Sequence, residues 1–490
     1  MDPSSTGVGF IGFTSFRPGL WSWTIVGACA ETRASRMSQP AFATHPFPLK
    51  TMPPGIPFII LNEAAERFSY YGMRAILMIF MTKYLLDHTG SLAPLDRPQA
   101  MVYYHTFEMA AYLFPLLGAL LSDIFLGKYR TILWLSMVYC LGHLALALDG
   151  TKNGLILGLS LIAVGSGGIK PCVSAHVGDQ FGEGNRHLLE RVFYWFYFSI
   201  NVGSTLSTLL IPYLLDRFGP HVAFGLPGML MLIATWVFWL GRRRFAHLPP
   251  AGKRFAKVAF GPEGLRVIAG LAGIYFFVAL FWCLSDQAFS AWVLQAEQMD
   301  RSFLGVQWLS SQISAVNPIL VLVFIPLFSY VVYPALGRWV ELTALRKIGV
   351  GLVTPVIAFC LSAWIESRIA VGETPSIGWQ LLGYALLTAG EVLAYGTCLE
   401  FSYRQAPPAM KSIIMSMMLA SIGLGNAITV GVNRWIASSA EVAKALSGAN
   451  YYLAFAAGLA FALLFYVPYA LRFKERSYLA DAPAVAGRPT

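Results

Sequence analysis

The sequence predicts an all-α integral membrane protein with 12 transmembrane helices in two six-helix bundles. Three observations predict this fold: an apolar composition, a dozen apolar runs and one central hydrophilic break. Of 490 residues, 56% are hydrophobic and only 12% are charged, whereas soluble domains carry about 25% charged residues. Mean hydropathy is +0.59. A soluble globular protein is therefore excluded.

The apolar runs are each long enough to cross a bilayer, which takes roughly 20 residues in a helix. Glycine, proline and charged residues separate one run from the next. We therefore predict helices at residues 55–86, 100–122, 130–149, 154–175, 190–215, 222–241, 264–295, 311–334, 345–366, 376–403, 411–436 and 447–471.

The longest hydrophilic interior segment, 242–263, opens with three arginines and separates six predicted helices from six. It predicts a cytoplasmic linker between an N-terminal bundle at 55–241 and a C-terminal bundle at 264–472. Residues 1–54 contain an apolar stretch too short to span a membrane, and we expect this tail to lie outside the mechanism. Residues 473–490 form a predicted cytoplasmic tail.

Basic residues fall mainly on one side of the predicted helices, with more than twice as many there as on the other side. The positive-inside rule then places both termini in the cytoplasm. The net charge of +10 is thereby explained by topology, and we expect no nucleic-acid partner.

Several activities lack their sequence signatures. The six cysteines form no Cys-x-x-Cys pair and no zinc-type spacing with histidine, so we expect neither a metal nor a disulfide. The runs GxxxxGK[ST], GxSxG and HExxH do not occur. The sequence therefore disfavours an ATP-driven pump and an enzyme, and energy is expected to come from an ion gradient.

The first predicted helix carries a polar stripe. Ionisable groups inside a bilayer are costly and usually face a partner or a water-filled cavity. Offsets of 0, 3, 4, 7, 8 and 11 place the stripe on one helical face. The alternative is a structural ion-pair seam between helices. Its members are Glu63, Glu66, Arg67, Tyr70, Tyr71 and Arg74.

Further ionisable residues lie in four later helices. A buried histidine is often structural, but His105 has an acidic residue one turn further along the helix. A structural role and proton handling are therefore equally favoured for His105. Lys170 lies in a glycine-rich run before a proline and needs an acidic partner or an anionic ligand. The residues are His105, Glu108 and Tyr112 in helix two, Lys170 in helix four, Asp286 in helix seven, and Glu391 and Glu400 in helix ten.

Depth along the helices, at 1.5 Å per residue, sorts these charges into layers. Arg74, His105 and Asp286 fall near the outer surface, and we predict that Arg74 and Asp286 pair when the outer side is closed. A protonated His105 would compete for the same carboxylate. Lys170 and Glu391 fall near the midplane, on opposite bundles.

Two other acids fall in different layers. Glu66 lies with Arg67 about 16–18 Å from the cytoplasmic start of its helix. Glu400 lies about 13.5 Å deeper than Glu391 and on the opposite helical face, so we predict an inner-gate or interface role for it.

The polar stripe also belongs to a recognisable motif. Residues 63–74, EAAERFSYYGMR, resemble the ExxERFxYY signature of the proton-coupled oligopeptide transporters, a branch of the major facilitator superfamily. Similar motifs continue in order through both halves: GALLSDIFLGKYR at 118–130, GSGGIKPCVSAHVGDQF at 165–181, FYFSINVGS at 196–204, FWCLSDQ at 281–287, and the segment 390–407.

Within this family the chain is more similar to animal peptide transporters, because Tyr104-His105-Thr106-Phe107 matches their proton-handling histidine. It also departs from known patterns. Its linker is too short for the helix pair inserted in many bacterial members, and the loop 367–375 has no room for the animal extracellular domain. Glu108 is an additional acid beside His105.

The resemblance implies a major facilitator fold and a symporter that imports di- and tripeptides with protons, without another cofactor. A peptide is a zwitterion, so its site needs both charges. Arg67 and Lys170 are implied for the carboxylate, and Glu391 with Asn201 and Asn317 for the amine. The implied side-chain pockets consist of Tyr70, Tyr71, Tyr112 and Trp282.

The remaining implied roles concern coupling. Glu63, Glu66, His105, Glu108 and Asp286 would carry protons, with Arg74, Asp286 and Glu400 as gates. A monomer in the cell membrane is expected, in contact with lipid. The alternatives are the same fold carrying nitrate, a single amino acid or a drug, and, with less support, a uniporter or channel.

Overall fold

The computed structural model describes residues 42–250, 252, 261–406 and 410–473. From Phe42 onward these residues form one compact unit. Residues 1–41 of the predicted N-terminal tail, residues 251 and 253–260 of the predicted linker and residues 474–490 of the predicted cytoplasmic tail lie outside the described residues.

The N-terminal half consists of helices that each follow a predicted apolar run. A proline in the first turn begins α1, where the absent N–H costs nothing, and Asp96 and Thr151 cap α2 and α4. The helices are α1 (Ile56–Ile79), α2 (Arg97–Leu120), α3 (Lys128–Leu148), α4 (Lys152–Gly178) and α5 (Leu189–Leu240). Turns of π-helix extend α1 at Phe80–Tyr84 and α2 at Leu121–Leu126, and 3-10 turns lie at Glu183–Leu188 and Gly241–Arg244.

The helix α5 contains two membrane passages where the sequence predicted two helices separated by residues 216–221. The chain turns back at Gly219 alone, with φ of 77° and ψ of −178°. This backbone conformation suits glycine, and Pro220 next in the chain disfavours a helical residue before it. A single kink therefore replaces the predicted six-residue break.

The C-terminal half has more, shorter elements, because several predicted helices are interrupted. They are α6 (Pro262–Ser285), α7 (Ala291–Ala296), β1 (Ser302–Phe303), β2 (Val306–Gln307), α8 (Val316–Leu327), α9 (Tyr333–Leu336), α10 (Ala344–Ala370), α11 (Gly378–Gly390), α12 (Thr397–Gln405), α13 (Lys411–Ser438), α14 (Ala440–Ala445) and α15 (Ala449–Arg472). The strands form a two-stranded antiparallel hairpin. Irregular turns lie at Asp286–Phe289, Ser310–Ala315, Phe328–Val332 and Glu391–Gly396.

Two interruptions differ from the continuous helices predicted at 264–295 and 376–403. The helix predicted at 264–295 breaks at Asp286 into a 3-10 turn before α7. The helix predicted at 376–403 changes at Glu391 into a π-helical turn that joins α11 to α12. Both breaks begin at an acidic residue inside an apolar span, and π-turns are frequent at functional sites.

The twelve predicted passages are all present in the described ranges. Ten helices are long and apolar enough to cross a membrane, and α5 is one of these ten with two passages. The twelfth passage is α1, which is less apolar because it carries four charged residues. The fold is therefore the all-α membrane fold that the sequence predicts. We call the side where α1 ends the outer side, following the distribution of basic residues.

Residues 42–54, predicted to belong to a tail, pack against the first residues of the predicted linker. His247 N–H donates to Ala43 O at 2.7 Å, and the rings of Phe42 and His247 lie 4.5 Å apart. Gly55 has no space for a side chain, since a Cβ there would lie 2.5 Å from the Phe245 ring. This close approach joins the start of α1 to the chain that follows α5.

Candidate functional site

Arg74 lies at the centre of a buried charge cluster in the outer half of the protein. Its guanidinium contacts Asp286 at 2.6 Å and Glu108 at 3.0 Å, so the predicted contact between Arg74 and Asp286 is formed. Nε also donates to the Tyr104 hydroxyl at 2.7 Å, and the ring of Phe289 lies 4.1 Å below the guanidinium. This cluster joins α1 and α2 to the turn after α6.

His105 reaches the same cluster through an amide side chain that the sequence analysis missed. Asn426 on α13 donates from Nδ2 to Asp286 Oδ2 at 2.6 Å, and its Oδ1 lies 2.6 Å from His105 Nδ1. The other ring nitrogen of His105 lies 2.9 Å from Ser290 Oγ. Asn426 therefore bridges His105 and Asp286. The sequence analysis instead suggested that His105 competes directly with Arg74 for the Asp286 carboxylate.

Three of the four charged residues of the first-helix motif interact with one another, one layer further from the outer side. Arg67 Nε lies 2.7 Å from Glu63 Oε1 and 3.2 Å from Glu66 Oε2. Ser166 on α4 donates to Glu66 Oε1 at 2.8 Å. Both carboxylates are buried, so these partners replace contacts with water.

Lys170 is a buried cation held between two aromatic rings. Its Nζ lies 3.9 Å from the ring centroids of both Tyr70 and Tyr112, a favourable cation–π geometry. Among the described residues no hydrogen-bond partner is found for this ammonium. Lys170 can therefore accept an anionic ligand without first releasing a protein carboxylate.

Glu391 belongs to the opposite half of the chain. Asn317 on α8 donates from Nδ2 to Glu391 Oε2 at 2.9 Å and to Thr388 Oγ1 at 3.1 Å. The π-helical turn that begins at Glu391 widens the backbone at this position. A carboxylate held by neutral donors keeps its charge available for a cationic ligand.

A central cavity of about 50 Å³ lies between these groups. Glu391 and Asn317 border it, and so does Tyr112, whose ring contacts Lys170. Opposite charges are thus arranged around one space with aromatic walls. The lining residues are Tyr71, Arg74, Tyr112, Trp282, Ser285, Ala288, Phe289, Asn317, Tyr384, Leu387 and Glu391.

Some predicted site residues are not brought to this cavity. Arg67, Tyr70, Lys170 and Asn201 are not in its lining, although Tyr70 contacts Lys170 and donates to Glu108 at 3.0 Å. Asn201 donates to Tyr197 O on its own helix.

Glu400, predicted at an inner gate, lies on α12 with about half of its side chain exposed. It pairs there with Arg404, one turn away, at 3.7 Å. The predicted inner-gate role of Glu400 stays a prediction.

Two further ion pairs join the halves at the outer side. Lys83, after α1, contacts Glu297, after α7. Arg97, at the start of α2, lies 3.6 Å from Glu366 on α10, and its guanidinium also donates to Tyr452 on α15 at 3.0 Å. With the Arg74–Asp286 pair, these contacts close the outer side.

The residues missed by the sequence analysis are mostly uncharged. Asn426, Tyr104 and Ser166 all donate or accept within the charge clusters. A search for charged residues alone overlooks such groups, because an amide or hydroxyl is common within membrane helices. The available signal for Asn426 was an amide in the middle of an apolar run.

Twelve membrane passages, a central cavity bordered by both charges and an outer closure made of ion pairs define a class of protein: a multi-pass membrane transporter. The chain belongs to the POT family, whose sequence profile matches residues 129–261 and 262–449. Among the described residues no group of three or more His, Cys, Asp or Glu could hold a metal ion.

Curated relatives include Peptide transporter family 1 of Drosophila melanogaster, 39% identical over 364 residues. Solute carrier family 15 member 2 of Homo sapiens is 35% identical over 367 residues. Each match covers 65% of this chain, and 48% and 49% of the respective relative. The chain therefore spans about half the length of the curated relatives it matches.

Solved structures of the family cover more of the chain. A crystal structure of an autoinhibited POT family peptide transporter is 35% identical, with a TM-score of 0.80, and the match covers 88% of this chain and 99% of that one. A proton-dependent oligopeptide family transporter is 36% identical with a TM-score of 0.72, covering 84% and 100%.

Proposed function

We propose that the protein is a proton-coupled symporter that imports di- and tripeptides by alternating access. The observation that carries this proposal is the cavity between the halves, bordered by Glu391 on one side and by the Tyr112 ring beside the unpartnered Lys170 on the other. A peptide carries an amine and a carboxylate at its two ends. The matched curated relatives are named as peptide transporters or solute carriers, which supports the same cargo.

The roles follow from charge. Lys170 and Arg67 bind the peptide carboxylate, and Glu391 with Asn317 binds the amine. Asn201 stays a proposed contributor to the amine site. The aromatic residues Tyr70, Tyr71, Tyr112 and Trp282 accept varied side chains, because stacking and apolar contact do not require one particular sequence.

Protons act through the carboxylates that now bind basic side chains. When Glu63 or Glu66 takes up a proton, Arg67 loses an ionic partner and becomes available to the peptide carboxylate. On the outer side, His105, Glu108 and Asp286 take up protons and weaken the contacts of Arg74. Protons on the outside therefore favour opening, and their release to the inside restores the closed pairs.

We further propose that the protein works as a monomer in the cell membrane, with lipid around it and both termini in the cytoplasm. The distribution of basic residues supports this orientation. No metal or organic cofactor is needed, because the proton gradient supplies the energy.

The test is uptake of a labelled dipeptide by proteoliposomes, with and without an inward proton gradient. We expect concentrative uptake only with the gradient. Lys170→Ala and Glu391→Ala should each reduce this uptake at least tenfold, because each removes one charge that the peptide requires. Arg368→Ala is the matched control, since it removes a charge at the exposed Arg368–Glu373 pair outside the cavity.

Other outcomes would overturn the proposal. Wild-type uptake in either variant would remove Lys170 or Glu391 from the binding site. Competition by nitrate, single amino acids or a drug, but not by dipeptides, would support a different cargo on the same fold. Equilibration without accumulation would support a uniporter or channel.

A further inference from the structure

A group of buried polar side chains lies near Glu66, away from the central cavity. Asn62, one turn earlier on α1, is 1% exposed, and Glu66 is fully buried. Neither the amide oxygen nor the amide nitrogen of Asn62 has a hydrogen-bond partner among the described residues. Spacing of four residues places both side chains on the same face of α1.

Close packing of α3 on α4 brings more such groups to this place. A Cβ at Gly165 would lie 2.7 Å from the Cβ of Tyr139, so Tyr139 packs on α4 next to the residue that precedes Ser166, the donor to Glu66. The Tyr139 side chain is also close enough to Glu66 for an electrostatic interaction. The Tyr139 hydroxyl and the Ser136 hydroxyl, one turn earlier on α3, are buried and have no partner among the described residues.

These groups also share a depth in the membrane. Asn62 lies about 9 Å from the start of α1, and Ser136 and Tyr139 lie about 12 and 16 Å from the start of α3, at 1.5 Å per residue. Both helices start on the cytoplasmic side. Glu66 itself lies about 15 Å along α1, so Tyr139 is level with it, and Ser136 and Asn62 extend the polar groups toward the cytoplasm, inside the N-terminal half.

Unpaired polar groups in a protein interior are costly, and the hydrocarbon around the protein offers them no partner. A buried water molecule resolves the cost when two to four polar groups surround it. Glu66 is not in the lining of the central cavity, so water in that cavity has no direct access to its carboxylate.

We propose that Asn62, Ser136 and Tyr139 hold a cluster of ordered water molecules, and that this water accepts the proton that Glu66 releases. The proposal rests on the proposed function, in which Glu66 is a coupling residue. In this step the O–H bond of protonated Glu66 breaks and the proton passes to a water oxygen. The carboxylate that remains binds Arg67 and Ser166.

The charges around Glu66 favour this direction of release. Glu63 and Arg67 face it from α1, Lys170 from α4 and the Tyr139 hydroxyl from α3. The two cations lie towards the aromatic residues that border the peptide site, and they repel a proton from that side. The neutral hydroxyl and amide groups on the other side carry no opposing charge.

The water cluster is tested by X-ray radiolytic footprinting of the full chain in lipid nanodiscs. Hydroxyl radicals form from water in place and oxidise side chains beside bound water, including buried ones. We expect Tyr139 to be labelled several-fold faster than Tyr466, which is also buried but donates its hydroxyl to Leu345 O. Labelling of Tyr139 no faster than that of Tyr466 would overturn the proposal.

Thermal stability gives a second measurement that does not depend on transport. If Asn62 binds water, Asn62→Leu should leave the Tm unchanged or lower it, because the water loses a partner. If the amide is truly unpaired, the same substitution should raise the Tm by several degrees, and the proposal fails.

The role of the water is tested by transport of Tyr139→Phe and Ser136→Ala. Both should slow proton-driven accumulation several-fold while peptide exchange between equal pools continues, and Ser136→Thr should restore accumulation. Tyr466→Phe is the control for loss of a buried hydroxyl. An equal loss of exchange and accumulation, or no loss, would overturn the proton route. Absence of proton-driven uptake in the wild type would instead contradict the proposed function, and the footprinting result would still decide on the water.

Discussion

The protonation of His105 is set by the residues around its two ring nitrogens. Asn426 Nδ2 contacts two acceptors, Asp286 Oδ2 and Ile422 O, so the amide oxygen faces His105 Nδ1 and this nitrogen must carry a hydrogen. The neutral ring then accepts from the Ser290 hydroxyl at Nε2. A second proton at Nε2 requires only that the hydroxyl turn and accept.

Ser290 should therefore set the pH at which His105 becomes charged. Ser290→Ala removes an acceptor from the protonated ring and a donor from the neutral ring, and the bond to the charged form is worth more by about 1 kcal/mol. One pH unit corresponds to about 1.4 kcal/mol. We expect the pH dependence of uptake to shift by up to about one unit toward acid.

The measurement is initial dipeptide uptake between pH 5 and 8, with Ser290→Thr as the control that keeps the hydroxyl. His105→Ala should flatten the same profile. An unchanged profile in both alanine variants would move the outer proton site to Glu108.

Helix breaks position the charges at the level of elements. The turn at Asp286 ends α6 early, and the carboxylate there meets Arg74 from α1. The π-helical turn at Glu391 interrupts the predicted tenth helix at the acid that borders the cavity. Irregular backbone inside a membrane is tolerated where protein or a cavity surrounds it.

The pairing across these elements can be tested by exchanging its charges. Arg74→Asp and Asp286→Arg should each reduce uptake strongly, because each leaves like charges buried together. The double exchange should recover more transport than either single change. Full recovery is not expected, since Glu108 also contacts Arg74. A double variant no better than the singles would show that the pair is not the outer gate.

The sequence allowed the helices and the charged members of the clusters to be predicted, because apolar length and the cost of buried charge are strong signals. The confinement of the turn to Gly219, the break at Asp286 and the role of Asn426 were not predicted. Each depends on a local backbone conformation or on a neutral partner from a distant helix, and one-dimensional spacing contains no record of such contacts.

At the scale of the whole molecule, the outer side is closed by one buried and two more exposed ion pairs. Arg74 and Asp286 are nearly inaccessible, whereas the Lys83 side chain at the rim is 51% exposed. Exposed pairs contribute little, typically 0.2–1 kcal/mol. The buried pair is therefore expected to dominate the equilibrium between the closed and open outer sides.

The exposed ion pair between Lys83 and Glu297, called here the rim pair, should not respond to mild acid. Burial acts to raise the pKa of Glu297, but hydrogen bonds from Lys83 and Ser310 lower this pKa below its usual value. The contribution of the rim pair to closure is then complete at any pH above the usual pKa of a glutamate. This contribution is lost only when the pH falls through the lowered pKa of Glu297. We expect Glu297→Gln to favour opening up to about fivefold, equally at pH 7 and pH 5.5.

Double electron–electron resonance measures this opening as a change in the distance between two spin labels. The labels are placed at Leu92 and Val371, both in exposed outer loops. An effect of Glu297→Gln present at pH 7 but absent at pH 5.5 would show that the rim pair itself senses protons.

The most direct test of the account is whether peptide and proton movements drive each other. Coupling between two ligands is reciprocal, so an inward dipeptide gradient across proteoliposomes, imposed without any pH difference, should acidify the interior. A pH-sensitive dye trapped inside measures this, and a proton ionophore is the control. The account predicts acidification that requires the dipeptide and is lost in Glu391→Ala. Dipeptide entry without any proton movement would contradict it.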